Sequence, residues 1–200
     1  MPPLLVDTDI FCKLGVSGLL EAALKVFGVT MGDCARLPAL PHMLRRGRLP
    51  KLYGQAACDT LAQVAEAMSS VPAASAAWLD QLIAVPRIDP GEAQLFASAA
   101  EHSLTLLTGD KRALVALAGL TELSEALSGR IVTLEAVLMA LCVRGGDEGV
   151  RTALQPVMSA DRMVQACFSA GNKSPREALE SYFNHLKREV HPLVLWDSPK

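Results

Sequence analysis

The 200-residue sequence predicts an α/β domain with a mainly parallel sheet over residues 1–144, followed by a helical C-terminal extension over residues 145–200. The first ground is that short apolar runs of strand type alternate with helical periodicity from residue 3 to residue 143. The second is that two of those runs, Leu4-Leu5-Val6 and Leu104-Thr105-Leu106-Leu107, lead into acid at Asp7 and Asp110. The third is that beyond Gly145 only helical patterns remain.

Taken in order, Leu4 to Val6 reads as a short buried strand ending at Asp7-Thr8-Asp9. From Ile10 to Phe27, Leu14, Leu19, Leu20, Ala23, Leu24 and Phe27 recur at helical spacing, with a break expected near Gly15 and Gly18. Gly28 to Pro50 is weakly patterned. A short strand is expected near Val29 to Met31, ahead of the basic run Arg45-Arg46-Gly47-Arg48-Leu49-Pro50-Lys51. Leu52 to Met68 and Ala73 to Ile83 read as helices, the second with Trp78, Leu79 and Leu82 inward.

Ala84 to Ile88 reads as an edge strand because it contains Pro86. Asp89-Pro90-Gly91-Glu92 is the clearest helix start, with Asp as N-cap, Pro first and Glu third, and the helix runs to about His102. After the strand that leads to Asp110, Lys111 to Leu117 is helical. Ile131 to Leu134 is a further strand, and Ala136 to Val143 the next helix. The extension reads as helices over Glu148–Leu154, Asp161–Ser169 and Pro175–Glu189. The last of these opens on a second expected capping box, Ser174 to Glu177, and Trp196 is expected to pin the tail to the domain.

Half of the residues are hydrophobic, enough for a sizeable core, and few are aromatic. A net charge of −2 excludes a protein that works by bulk attraction to nucleic acid or membrane. The five cysteines, Cys12, Cys34, Cys58, Cys142 and Cys167, are scattered and never spaced Cys-x-x-Cys. They indicate neither a disulfide framework nor a zinc site, and a reducing cytosol is the simplest home. Met1-Pro2-Pro3 lacks the features of a signal peptide, and Glu135 interrupts the best apolar run, so no membrane partner is expected.

In open parallel sheets the working site lies beyond the carboxyl ends of the strands, where the pattern places Asp7, Asp110 and Glu135. Converging carboxylates repel one another and rise in pKa unless cations hold them together. Hard divalent ions with oxygen ligands are the usual answer, and a pair of them about 3.5–4 Å apart stabilises both oxygens of a phosphodiester displacement. Asp7, Glu92 and Asp110 would suit that use.

These residues have plainer uses as well. Glu92 completes a capping box whatever the function, and Asp110 and Asp9 stand where helix caps stand. Arg45, Arg46 and their neighbours are placed to contact phosphates, or form a solvated loop. Lys111 and Arg112 either neutralise the acids or hold a substrate backbone. The four histidines are isolated and make no convincing base or ligand.

The motifs Leu5-Val6-Asp7-Thr8-Asp9, Asp89-x-Gly91-Glu92-Ala93 and Leu107-Thr108-Gly109-Asp110 together resemble those of the PIN-domain nucleases, over residues 3 to about 135. The resemblance implies a three-layer α/β/α fold and an acidic site that binds Mg²⁺ or Mn²⁺ to cut RNA. It places Asp7, Glu92 and Asp110 as catalytic ligands with Asp9 as a helper, and has Thr108 steady Asp110 through its hydroxyl. RNA is then the substrate, while a homodimer and a paired protein inhibitor stay open as partners.

The chain departs from the family pattern in two places. The second helical segment, Arg36 to Leu44, has no acid, leaving Asp33, Asp59 or Glu135 as substitutes, and Arg112 and Ala113 stand where a further acid often follows the strand end. A catalytically silent module that binds RNA or protein is the alternative. Asp7-Thr8-Asp9 also resembles the Asp-x-Asp of haloacid-dehalogenase-like phosphatases, but Phe11 stands where that motif carries Thr or Val.

Overall fold

Five short strands form the sheet: β1 (Leu4–Val6), β2 (Cys34–Arg36), β3 (Ser69–Ser70), β4 (Leu106–Leu107) and β5 (Ile131–Val132). The structure is a computed structural model and describes residues 4–197. The strands run parallel in the order β3-β2-β1-β4-β5, so β1 is central. Leu5 is opposite Ala35 on one side and Leu106 on the other, and all of β1 is buried. A strand covered on both faces needs no polar alternation, which is why it reads as a plain apolar run.

The helices are α1 (Thr8–Val16), α2 (Leu20–Val26), α3 (Leu40–Arg45), α4 (Arg48–Tyr53), α5 (Gln55–Ala67), α6 (Ala76–Ile83), α7 (Pro90–Glu101), α8 (Lys111–Ala118), α9 (Thr121–Leu127), α10 (Leu134–Gly145), α11 (Asp147–Leu154), α12 (Arg162–Phe168) and α13 (Pro175–Glu189). A single 3₁₀ turn stands at Met31–Asp33 and a six-residue 3₁₀ helix at Gln155–Ala160. The helices of the first 144 residues flank the sheet in a three-layer α/β/α arrangement, as expected. The break after Gly15 is real: the N–H groups of Gly18 and Leu19 turn back to Gly15 and Leu14, and Gly18 takes a φ of 69°.

Three local expectations are corrected. The strand expected at Val29 to Met31 lies at Cys34–Arg36, because Thr30 and Asp33 cap each other and wind Met31–Asp33 into a turn. Arg36 is buried there, its guanidinium donating to the carbonyls of Ala65 and Leu37 and to Ser70 Oγ. Ala84 to Ile88 is not a strand but a pair of turns closed by local bonds, Val85 N–H to Leu82 and Ile88 N–H to Val85. Ser174 caps nothing with its hydroxyl; its N–H donates instead to Asn172 Oδ1. The polar edge strand β3 and helix α9 were not expected at all.

The extension is built into the core. Helices α11 and α13 pack on α10, and Phe168 of α12 and Phe183 of α13 are buried in the same apolar cluster as Phe11 and Phe96. The tail adds a bridge beside β5: Gly129 N–H donates to Val194 and Trp196 N–H to Ile131, and the Trp196 ring rests 5.1 Å from that of Phe27. All five thiols are free and buried, and among the described residues no helix is long and apolar enough to cross a membrane.

Candidate functional site

The chain leaves β1 toward β2 and β3 on one side and later returns to β4 and β5 on the other. The topological switch point therefore lies between the carboxyl ends of β1 and β4, and Asp7 and Asp110 stand there. Asp7 extends the sheet by one bond, its N–H donating to the Leu107 carbonyl at 2.9 Å. It holds the N-cap position of α1, yet its carboxylate makes no capping bond. Burial, together with the charges of Asp9, Asp89 and Asp110, pushes this carboxyl up to about 7 despite the Thr8 N–H beside it.

Glu92 is brought to the same place by the capping box of α7. Its N–H donates to Asp89 Oδ1 at 2.8 Å and its carboxylate accepts from the Asp89 N–H at 2.7 Å. Burial pushes Glu92 up to about 7, helped by the charges of Asp89, Asp110 and Asp7 and opposed by the Asp89 N–H. Asp110 caps α8, Oδ1 accepting from the N–H groups of Arg112 at 2.8 Å and Ala113 at 3.1 Å. Burial would raise its pKa, but these bonds and the Arg112 guanidinium, 3.4 Å from Oδ2, hold it below the usual range.

Asp9 is within the first turn of α1 rather than at its cap, and its carboxylate accepts from Lys13 one turn on. Gly109 leaves room for it: a Cβ there would stand 3.3 Å from Asp9 Oδ2. The other partner of Lys13 is Asp161, the N-cap of α12 in the extension. Burial works against the Lys13 charge, but the two carboxylates outweigh it and hold the ammonium above its ordinary pKa.

Glu135, at 2 % exposure, is 2.7 Å from Lys111 Nζ in an ion pair, although Oε1 has no well-aligned hydrogen bond. Lys111 also lies over the Tyr182 ring of α13, 5.0 Å from its centroid.

Two cavities flank the Gly109–Asp110 turn. One, about 360 Å³, is bordered by Arg87, Asp89, Glu92, Asp110 and Arg112. The other, about 340 Å³, is bordered by Lys13, Gly109, Lys111, Glu135, Asp161 and Tyr182 among others. Glu92 and Asp110 thus share a cleft with Arg112, with Lys111 across the turn; Asp7 borders neither cavity but is near enough for its charge to act on Glu92 and for that of Asp110 to act on it.

Thr108 is buried and its N–H donates to Val132, but among the described residues its hydroxyl makes no bond to Asp110. Arg45 pairs with Glu66 at 2.7 Å, and neither Arg45 nor Arg46 borders a cavity at the strand ends. Asp33 is engaged by Thr30 and Asp59 by Gln55, both exposed, so of the three substitute acids Glu135 alone borders either cavity.

Arg87, Lys13, Asp161 and Tyr182 are site residues that sequence reasoning missed. Arg87 had one signal, its place in Pro86-Arg87-Ile88 just ahead of the capping box.

The donor set suits a hard cation, being carboxylates held against their own repulsion. Yet among the described residues no group of three or more His, Cys, Asp or Glu side chains is closed enough to hold a metal ion. Compared with models of known protein families, with curated proteins and with solved structures, the chain matches none.

Proposed function

We propose that the chain is a PIN-like endoribonuclease that depends on Mg²⁺ or Mn²⁺. One observation carries this reading: beside the switch point, burial and neighbouring acids push both Asp7 and Glu92 up to about 7, and Glu92 borders the cleft with Asp110. Carboxylates so placed are stabilised by a divalent cation, and Asp7, Glu92 and Asp110 would hold it. Bound there, the ion would supply charge stabilisation for attack of water on the phosphodiester and for the departing oxygen. Arg112 and Arg87, bordering the cleft, hold the phosphate backbone, and the caps of α7 and α8 fix the backbone from which Glu92 and Asp110 project. Lys13 neutralises Asp9, which makes Asp9 a support rather than a ligand. Five buried free thiols suit the cytosol as the site of action.

End-labelled RNA incubated with Mn²⁺, Mg²⁺ or EDTA tests the reading. Cleavage that requires the metal supports it, and intact RNA under both metals refutes it. The second reading, a silent RNA- or protein-binding module, is favoured by the carboxylate oxygens that Glu92 and Asp110 spend on helix caps.

A further inference from the structure

We infer that the cavity on the extension side of the Gly109–Asp110 turn is a nucleotide subsite that takes a nucleoside monophosphate unit. Two neighbouring residues divide the space: Gly109 borders this cavity, and Asp110 borders the acidic cleft. Lys111 and Arg112 repeat the division. A sugar-phosphate chain with one phosphate over the acidic cleft therefore presents its adjoining nucleotide here. To that extent the inference rests on the ribonuclease reading. The size is apt for one nucleotide, since about 340 Å³ is at the small end of ligand pockets.

The cavity offers more hydrogen-bond donors than its own acceptors use. Lys13 spends two donors, on Asp9 and Asp161, and Lys111 spends one on Glu135, whereas an ammonium has three. Arg162, exposed at the start of α12, borders the cavity and makes no hydrogen bond or ion pair among the described residues. Its planar fork is suited to a phosphate.

The opposite character is also present. Tyr182, Met163 and Leu134 give an aromatic and apolar wall for a base. An oxyanion alone would leave that wall unused. The extension supplies Asp161, Arg162, Met163 and Tyr182, and this gives residues 145–200 a role in the site.

The test is calorimetric titration of the full chain in EDTA with 5′-AMP, with inorganic phosphate and with a 5′-phosphorylated diribonucleotide. AMP is expected to saturate and to bind more tightly than phosphate. Arg162→Ala removes a side chain that holds nothing in the fold, and it should weaken AMP about tenfold. Tyr182→Leu should weaken it by about as much through lost stacking. Tighter binding of the diribonucleotide assigns the subsite to RNA, and equal binding assigns it to the free nucleotide.

No saturable AMP binding at millimolar concentrations, or binding that both variants leave unchanged, overturns the inference. Metal-dependent RNA cleavage without AMP binding overturns the subsite alone. AMP binding sensitive to Arg162→Ala, with no cleavage under any metal, overturns the nuclease reading alone.

Discussion

Lys13 and Asp161 form an ion pair across 148 residues of sequence, joining the first helix after β1 to the C-terminal extension at the cavity across the Gly109–Asp110 turn from the acidic cleft. The Lys13 ammonium, buried and shared with Asp9, is one point through which the extension is fixed beside the strand ends. Removing one partner of such an arrangement leaves uncompensated charge. Lys13→Met, which abandons both Asp9 and Asp161, should cost roughly 3–5 kcal/mol in urea unfolding. Asp161→Asn keeps Asp9 as a partner for Lys13 and an amide oxygen for the α12 cap, and should cost about 1–2 kcal/mol. Equal costs for the two variants would show that Lys13 is not shared.

The cap and the charge of Asp110 can be separated. Asparagine caps helices about as well as aspartate, so Asp110→Asn should leave the unfolding midpoint almost unchanged while metal-dependent cleavage falls by about a hundredfold or more. Asp110→Ala should lose the cleavage and about 1 kcal/mol of stability as well, because the N–H groups of Arg112 and Ala113 lose their acceptor. Urea melts beside RNA cleavage rates check both. Full cleavage by the folded asparagine variant would confine Asp110 to capping.

Asp7 and Glu92 set the pH dependence of the metal-free protein. Each carboxyl is at about 7 in the folded chain, against 3.8 for Asp7 and 4.5 for Glu92 in the unfolded chain. Between those limits the folded state holds more protons, so stability is greatest at the acid end and falls as pH rises toward 7. The loss should be roughly 1–3 kcal/mol between pH 5 and pH 8, allowing for the coupling between the two groups. Asp161 acts oppositely, since its lowered pKa withdraws stability only as pH falls below the usual carboxylate range, outside this window. Urea melts in EDTA across that span check the slope, and Asp7→Asn should flatten it. Stability that rises from pH 5 to pH 8 would contradict the crowding of these acids.

The legible parts of the fold are those written in adjacent residues. Leu4 to Asp7 announces a buried strand and its acid, and Asp89-Pro90-Gly91-Glu92 announces a helix start, because both signals are complete within a few positions. Leu104 to Asp110 held the second acid in the same way, although only Leu106 and Leu107 pair in the sheet. What failed was what depends on distant partners. β3 is two exposed serines whose pairing with Ala35 and Arg36 leaves no hydrophobic trace. Ala84 to Ile88 has strand composition, but local N–H bonds close it into turns.

The candidate site divides in the same manner. Asp7, Glu92 and Asp110 were visible from their own motifs. Lys13 and Tyr182 were not, because each gains its meaning only from Asp161 or Lys111 across the fold. The basic run from Arg45 attracts attention by its density of charge, yet Arg45 is engaged by Glu66 and the run borders neither cavity.

The central claim, that the acids at the ends of β1 and β4 are a cation site, is tested most directly by titrating Mn²⁺ into the metal-free protein and into Asp7→Asn near neutral pH. The account predicts saturable binding by the wild-type chain and its loss, or a weakening of about tenfold or more, in the variant. No binding by the wild-type chain, or equal binding by both proteins, would contradict it.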